Sequence, residues 1–273
     1  MRERHSLRSK AGSGTKEEAV KDRQFVTALA RGWEILRCFN SQRPDLSGSE
    51  IARLTGLPQP TVWRLCYTML KLGILVQVAG DRLRPGLAVL QVGHSAISGM
   101  SLIELARPHM QSLANEFGGA CTLAVRNGLD MVSVGRGEST NQLVMNLRIG
   151  SVLPVANSSV GWACIAGHDP EGREKIIALL DAEGGSLWKT HRADCMKALK
   201  QYDKVGYIVS LGMFYPLYNV VSAPIVAPDG AVPYTINFGL ASSSSSSNQF
   251  LKRAVPEFME LVRTLTSLLA VNR

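Results

Sequence analysis

The stretch SGSEIARLTGLPQPTVWRLCYTMLKLGILVQVAGDRLRP, residues 47 to 85, restricts the fold more than any other part of the chain. It runs as a helical segment, a breaker, a second helical segment and two short β-prone runs, the order of a winged helix-turn-helix. Ser47 or Ser49 can cap the first helix and Glu50 follows early. Ile51, Ala52 and Leu54 keep one apolar face before Thr55-Gly56-Leu57-Pro58 breaks it. The second helix starts at Pro60, a residue suited to a first helical turn.

Successive helical side chains lie about 100° apart, which gathers Val62, Leu65, Cys66 and Met69 on one arc with Leu72 at its edge. The opposite arc holds Pro60, Arg64, Tyr67 and Lys71, with Trp63 on its flank and Gln59 and Thr61 at the helix start. Arg and Gln make bidentate contacts to base edges, and helix N-terminal amides hold phosphate oxygens. Two aromatics left outside mark a contact surface rather than a plainly solvated face. Beyond Gly73, Ile74 to Val78 and Arg82 to Pro85 flank Ala79-Gly80-Asp81 and form the expected wing. Arg82 and Arg84, one strand period apart, share a face that can reach a phosphate or the minor groove.

The net charge of +8 is unevenly placed. Residues 1 to 95 hold 15 Lys and Arg against 8 Asp and Glu, whereas the rest holds 15 against 14. A polyanionic partner for the N-terminal third follows, since neutralised phosphates supply much of the affinity for DNA. No apolar run is long enough to span a bilayer and no signal-peptide pattern opens the chain, so the expected location is the cytoplasm, away from membranes.

The length of 273 residues, 45% hydrophobic, suggests two domains. The expected division is a basic disordered arm over 1–22, the winged helix-turn-helix over 23–86, a linker helix over 87–100 and a larger domain over 101–273. In the first domain a helix from Gln24 to Asn40 places Val26, Leu29, Ala30, Trp33 and Leu36 near helical spacing, with Trp33 read as core. Helices are expected at Leu87 to Ser98 and Ser101 to Glu116. Strands follow at Cys121 to Val125, Met131 to Val134 and Leu143 to Leu147, then helices near Ser158 to Ala166, Glu171 to Leu180 and Ala193 to Lys204. Two more strands at Val220 to Val226 and Val232 to Phe238 precede a last helix from Gln249 to Leu269, an α+β pattern with one central sheet. The six serines from Ser242 to Ser247 read as a flexible loop. Five scattered Cys without a CxxC pair read as buried free thiols. No Walker motif, HExxH, GxSxG or ligand cluster appears, so no metal, cofactor or catalytic residue is expected.

At four places in order the chain resembles the IclR family of transcriptional regulators: EIARLTGLPQPTVWRL at Glu50 to Leu65 with the following LxxxGIL, LARPHMQSLANEFG at Leu105 to Gly118, VGRGES at Val134 to Ser139, and GYxxS with SAPI at Gly206 to Ser210 and Ser222 to Ile225. The resemblance spans roughly Phe25 to Val271. It implies an N-terminal winged helix-turn-helix, a linker helix and a GAF-like domain that binds a small organic acid. It further implies a homodimer or homotetramer on double-stranded DNA with a palindromic operator, controlling a catabolic operon.

Where the family usually reads PLHATAxGKA, this chain has PVANSSVGWA from Pro154 to Ala163, without the His and the Lys. Where the family usually reads GYxxDxEExxxGVxCIAAPI, Gly206 to Ile225 lacks the acidic trio and the Cys, with Ser210, Gly212 and Met213 among the replacements. Matching positions that would line the effector pocket are Met145, Leu153, Ser159, Val160, Ser210, Tyr218, Val220, Asn237 and Gly239. An apolar lining with a few hydroxyl and amide groups suits an aromatic or apolar acid better than a small, highly charged one. Arg126, Arg136 and Arg148 are candidate carboxylate partners that read as surface charges. Three classes stay open at this level: an effector-responsive transcription factor, a DNA-binding protein whose second domain only oligomerises, and an enzyme with a DNA module, for which no nucleophile and base stand at recognisable spacing.

Overall fold

The computed structural model describes residues 24–140, 147–212 and 216–271, and divides the chain into two compact units at Gly86 and Leu87. The first unit contains α1 (Thr27–Arg37), β1 (Leu46–Ser47), α2 (Gly48–Thr55), α3 (Gln59–Lys71), β2 (Leu75–Val78) and β3 (Arg82–Pro85). Helix α2 opens with a full capping box: Ser47 Oγ accepts from the Glu50 amide at 3.3 Å and the Ser47 amide donates to Glu50 Oε2 at 2.8 Å. It closes on Gly56 in the left-handed conformation. Helix α3 begins one residue before Pro60, and its Val62, Cys66 and Met69 are buried against Ile35, Ile51, Leu75 and Leu83. In the β2–β3 hairpin Gly80 and Asp81 both take positive φ, a backbone that glycine and aspartate tolerate and that closes a twisted two-stranded ribbon. Two-residue β1 adds a third strand beside β3, too short to leave a periodic signal.

One expectation for α1 is corrected. Trp33 is 63% exposed, as are most of Phe25, Val26 and Leu29, and the core position is filled by Ile35. The helix packs on α3 through Gly32, where a Cβ would come within 3.1 Å of the Met69 side chain. Close approach on the glycine side leaves the bulkier stripe outside, so the apolar periodicity is real but does not face this unit's core.

The second unit contains α4 (Leu87–Ser98), α5 (Ser101–Phe117), β4 (Ala120–Asn127), β5 (Asp130–Glu138), β6 (Val152–Pro154), α6 (Ser159–Gly167), α7 (Pro170–Glu183), α8 (Gly185–Val205), β7 (Ile208–Leu211), β8 (Tyr218–Ile225), β9 (Tyr234–Ala241), α9 (Ser247–Gln249) and α10 (Val255–Val271). A six-stranded antiparallel sheet in the order β6-β5-β4-β9-β8-β7 forms its centre. Helices α5 and α10 bury Met110, Leu113, Phe258 and Leu265 against one face. Helices α6, α7 and α8 cover the other with Trp162, Ile165, Leu180 and Trp188. The fold is α+β, as the patterning indicates.

Edge strands β6 and β7 are too short to be read from sequence, and the anticipated strand at Leu143 to Leu147 falls almost wholly outside the described residues. Helix α8 starts earlier than expected because Trp188 is buried and donates to Asp181 Oδ1 at 2.6 Å. The last helix is entered through a π turn at Phe250–Ala254. The serine run is also more structured than a flexible loop: the Ser242 amide donates to Leu217 O at 2.8 Å and Ser246 forms a capping box with Gln249. Serine's preference for caps outweighs its preference for linkers at this boundary.

Candidate functional site

On α3 the side chains of Gln59, Pro60, Trp63, Arg64, Tyr67 and Lys71 are exposed together, while Thr61 is half-buried. The rings of Trp63 and Tyr67 stack with centroids 5.5 Å apart, and Lys71 Nζ lies 5.4 Å from the Tyr67 ring centre. The helix carries no acidic residue. The wing arginines, by contrast, are held by carboxylates of their own unit. Arg84 makes a bidentate pair with Asp45 at 2.5 and 2.8 Å, and Arg82 meets Glu50 Oε2 at 3.0 Å and donates to Asp45 O at 2.6 Å. The Arg84 hydrogen bond holds the Asp45 carboxyl below its ordinary range, and the Ser47 backbone amide does the same for Glu50.

The second unit holds a cleft between the sheet and the start of α6. Its lining is Ala120 and Thr122 from β4, Arg136 from β5, Tyr218 and Val220 from β8, Asn237 and Gly239 from β9, with Leu147, Leu153, Ser158, Ser159 and Val160. The space between these atoms is about 520 Å³ with its open mouth included. Strand register assembles it: Arg136 pairs with Thr122, Thr122 with Asn237, and Asn237 with Ser222, while one step along Ala120, Gly239 and Val220 form the next row. Seven of the nine expected pocket residues line this cleft: Leu153, Ser159, Val160, Tyr218, Val220, Asn237 and Gly239. Ser210 is buried one strand further out, paired with Val220, and does not line it. Met145 lies outside the described residues.

Ser159 sits in the first turn of α6, which Ser158 caps by accepting from the Gly161 amide. Ser222 Oγ donates to Ser159 Oγ at 2.9 Å, which leaves the Ser159 hydroxyl proton for another acceptor. The first turn also brings the positive end of a nine-residue helix to the cleft wall.

Arg136 is the main departure from expectation. Its side chain is only 7% exposed, pairs with Glu138 Oε2 at 2.7 Å and donates to Thr122 Oγ1 at 3.0 Å. The cause is a bulge: Leu123 pairs with Gly135 and Ala124 with Ser133, so Val134 is an extra residue and the alternation of β5 reverses there. Simple alternation from Met131 and Ser133 puts Arg136 outside; the bulge turns it into the cleft. Glu138 bridges onward to Arg148 at 2.7 Å, and its carboxyl is held below the ordinary range first by the Arg136 hydrogen bond. Arg148 is 62% exposed, as expected of a surface charge, and Arg126 donates to Gly128 O at the strand end. Thr122, missed in the sequence, is identifiable only from its register between Arg136 and Asn237.

Burial raises the thiols of Cys66 to about 11 and of Cys195 to about 12, and those of Cys121 and Cys164 rise for the same reason. Such thiols are protonated at neutral pH and behave as small apolar groups. Among the described residues no cluster of His, Cys, Asp or Glu is placed to hold a metal, and no helix is long and apolar enough to cross a membrane.

Two family models match the chain, the IclR helix-turn-helix domain over residues 28–79 and the bacterial transcriptional regulator IclR C-terminal domain over residues 94–269. The chain belongs to the IclR family of transcriptional regulators. Among IclR-family relatives, it is 34% identical over 233 residues to the HTH-type transcriptional regulator TsaQ1/TsaQ2 of Comamonas testosteroni, covering 84% of this chain and 83% of that one. A crystal structure of an IclR-family regulator from Brucella abortus superposes with a TM-score of 0.77 at 35% identity, covering 90% and 94% of the two chains. An IclR homolog from Microbacterium hydrocarbonoxydans, solved in complex with 4-hydroxybenzoate, shares the fold with a TM-score of 0.70 at 21% identity, covering 88% and 98%.

Proposed function

We propose that this IclR-type regulator controls a catabolic operon in response to an aromatic or otherwise apolar carboxylic acid bound in the cleft of its second unit. The observation that carries the reading is the side chain of Arg136, nearly buried in a lining that contains no carboxylate. Burying a cation is costly without anionic partners, and the Arg136–Glu138–Arg148 chain of contacts sums to one positive charge. A monocarboxylate balances that charge, while Leu147, Leu153, Val160, Val220 and the Tyr218 ring offer apolar surface to the rest of the molecule. Ser159 and Asn237 supply polar atoms beside it. The neighbour solved with 4-hydroxybenzoate supports a ligand of this class.

In the same reading α3 enters the major groove and Gln59, Pro60, Thr61, Trp63, Arg64, Tyr67 and Lys71 meet the operator, with Arg82 and Arg84 at its edge. One short helix reads too few base pairs for a useful specificity ratio, so two copies act on a palindromic site with half-sites about one helical turn or a multiple apart. The protein acts in the cytoplasm, where that operator lies.

A thermal-shift panel of aromatic and aliphatic acids tests the effector reading. A ligand held only by the native state at about 100 times its dissociation constant adds about 2.7 kcal/mol of stability. Aromatic monocarboxylates should raise the melting temperature and their amides should not. A panel in which only cations or dianions stabilise the protein contradicts the reading.

A further inference from the structure

We infer that the stacked pair Trp63 and Tyr67 is a thymine-reading surface, a flat apolar face that receives the 5-methyl group of a thymine beside the base pair contacted by Arg64. The inference deepens the reading of α3 as the groove-entering helix and rests on it. Trp63 is 66% exposed and Tyr67 49% exposed, so neither ring serves the unit's core. They stand one turn apart, stacked at 18° between planes, and Lys71 one turn further continues the stripe with its ammonium 5.4 Å from the Tyr67 ring centre. Stacking fixes both rings before any contact is made, so less side-chain freedom is lost on binding.

The chemistry of the surroundings selects a DNA groove as the occupant. Helix α3 has no acidic residue, and residues 24 to 86 hold 8 Lys and Arg against 4 Asp and Glu. Two of those four acids, Asp45 and Glu50, are already paired with Arg84 and Arg82. A phosphate-lined groove therefore meets no carboxylate along this helix, and Lys71 and Arg64 flank the aromatic stripe on the same exposed arc. Within the major groove the thymine methyl is the prominent apolar group, and apolar side chains recognise it by contact. Arg64 is suited to the guanine O6 and N7 acceptors, so a guanine next to a thymine is the expected element of each half-site.

The test begins with duplexes selected from a random library by the full-length protein. Each thymine of the selected site is then replaced in turn by uracil, which removes the methyl group and leaves pairing intact. At one or two positions per half-site, wild type should lose about fourfold in affinity, the factor for burying one methyl-sized group. The Trp63→Ala/Tyr67→Ala variant should bind the thymine and uracil duplexes equally, and Trp63→Phe/Tyr67→Phe should keep part of the difference. Both variants should melt with wild type, because the altered rings are exposed. Thymine-to-uracil insensitivity in wild type, or the same sensitivity in the alanine variant, overturns the inference. If the selected duplexes share no sequence at all, the groove-reading role of α3 fails first and the inference with it.

Discussion

Replacing Arg136 with Met is the sharpest perturbation of the cleft, because it keeps much of the side-chain volume and removes the guanidinium. Glu138 is not orphaned by the change, since Arg148 remains 2.7 Å away, so the cost to folding should be small. The lost contacts are the Glu138 pair and the Thr122 hydrogen bond. The effect on ligand follows from the charge sum: with Arg136 gone, Glu138 and Arg148 cancel and the cleft no longer favours an anion. A hydrogen bond to a charged group contributes about 1.5 to 3 kcal/mol. Because Arg136 already shares its charge with Glu138, the lower half of that range applies, about 1.5 to 2 kcal/mol, or roughly ten- to thirtyfold in affinity. Titration calorimetry with an aromatic acid that stabilises wild type, beside its amide, reads this directly. Wild type should prefer the acid by about that factor and Arg136→Met should bind both alike. A variant that keeps the acid preference of wild type refutes the argument that Arg136 receives the carboxylate.

Other expectations follow from the same geometry. Ser159→Leu should fill the cleft between α6 and β8 and abolish the effector response while operator binding stays intact, as measured by release of labelled operator on adding acid. Equal stabilisation of both proteins by that acid would place the ligand elsewhere. Arg64→Ala should cost about 1 to 3 kcal/mol of specific operator affinity without lowering the melting temperature, and unchanged footprinting would remove Arg64 from the base-reading set. Asp45, Glu50, Glu138 and Asp181 all have carboxyls held below their ordinary values by folded-state partners. Their contribution is therefore present above the unfolded-state values near 4 and lost as pH falls through the lower folded values. Stability followed by denaturant melts should drop below about pH 4.5 and drop less steeply in Glu138→Gln.

The sequence by itself determined what local chemistry determines. The Ser47 and Glu50 box, the glycine at position 56 and the 3.6-residue spacing of Val62, Cys66 and Met69 specify two helices and their exposed arc without help from distant residues. The resemblance to the IclR family placed seven cleft residues because aligned positions carry backbone geometry even where the side chains have changed. Tertiary structure decided matters in which two segments must meet. Trp33 lies outside because α1 approaches α3 through Gly32, and no periodicity says which of two apolar stripes a neighbour will cover. The wing arginines are engaged by Asp45 and Glu50, partners more than thirty residues away along the chain. Arg136 points into the cleft because one extra residue at Val134 reverses a strand whose alternation otherwise turns it to solvent. A strand pattern has a period of two, so a single bulge inverts everything after it. That inversion is set by pairing with β4, which the residues of β5 alone do not encode.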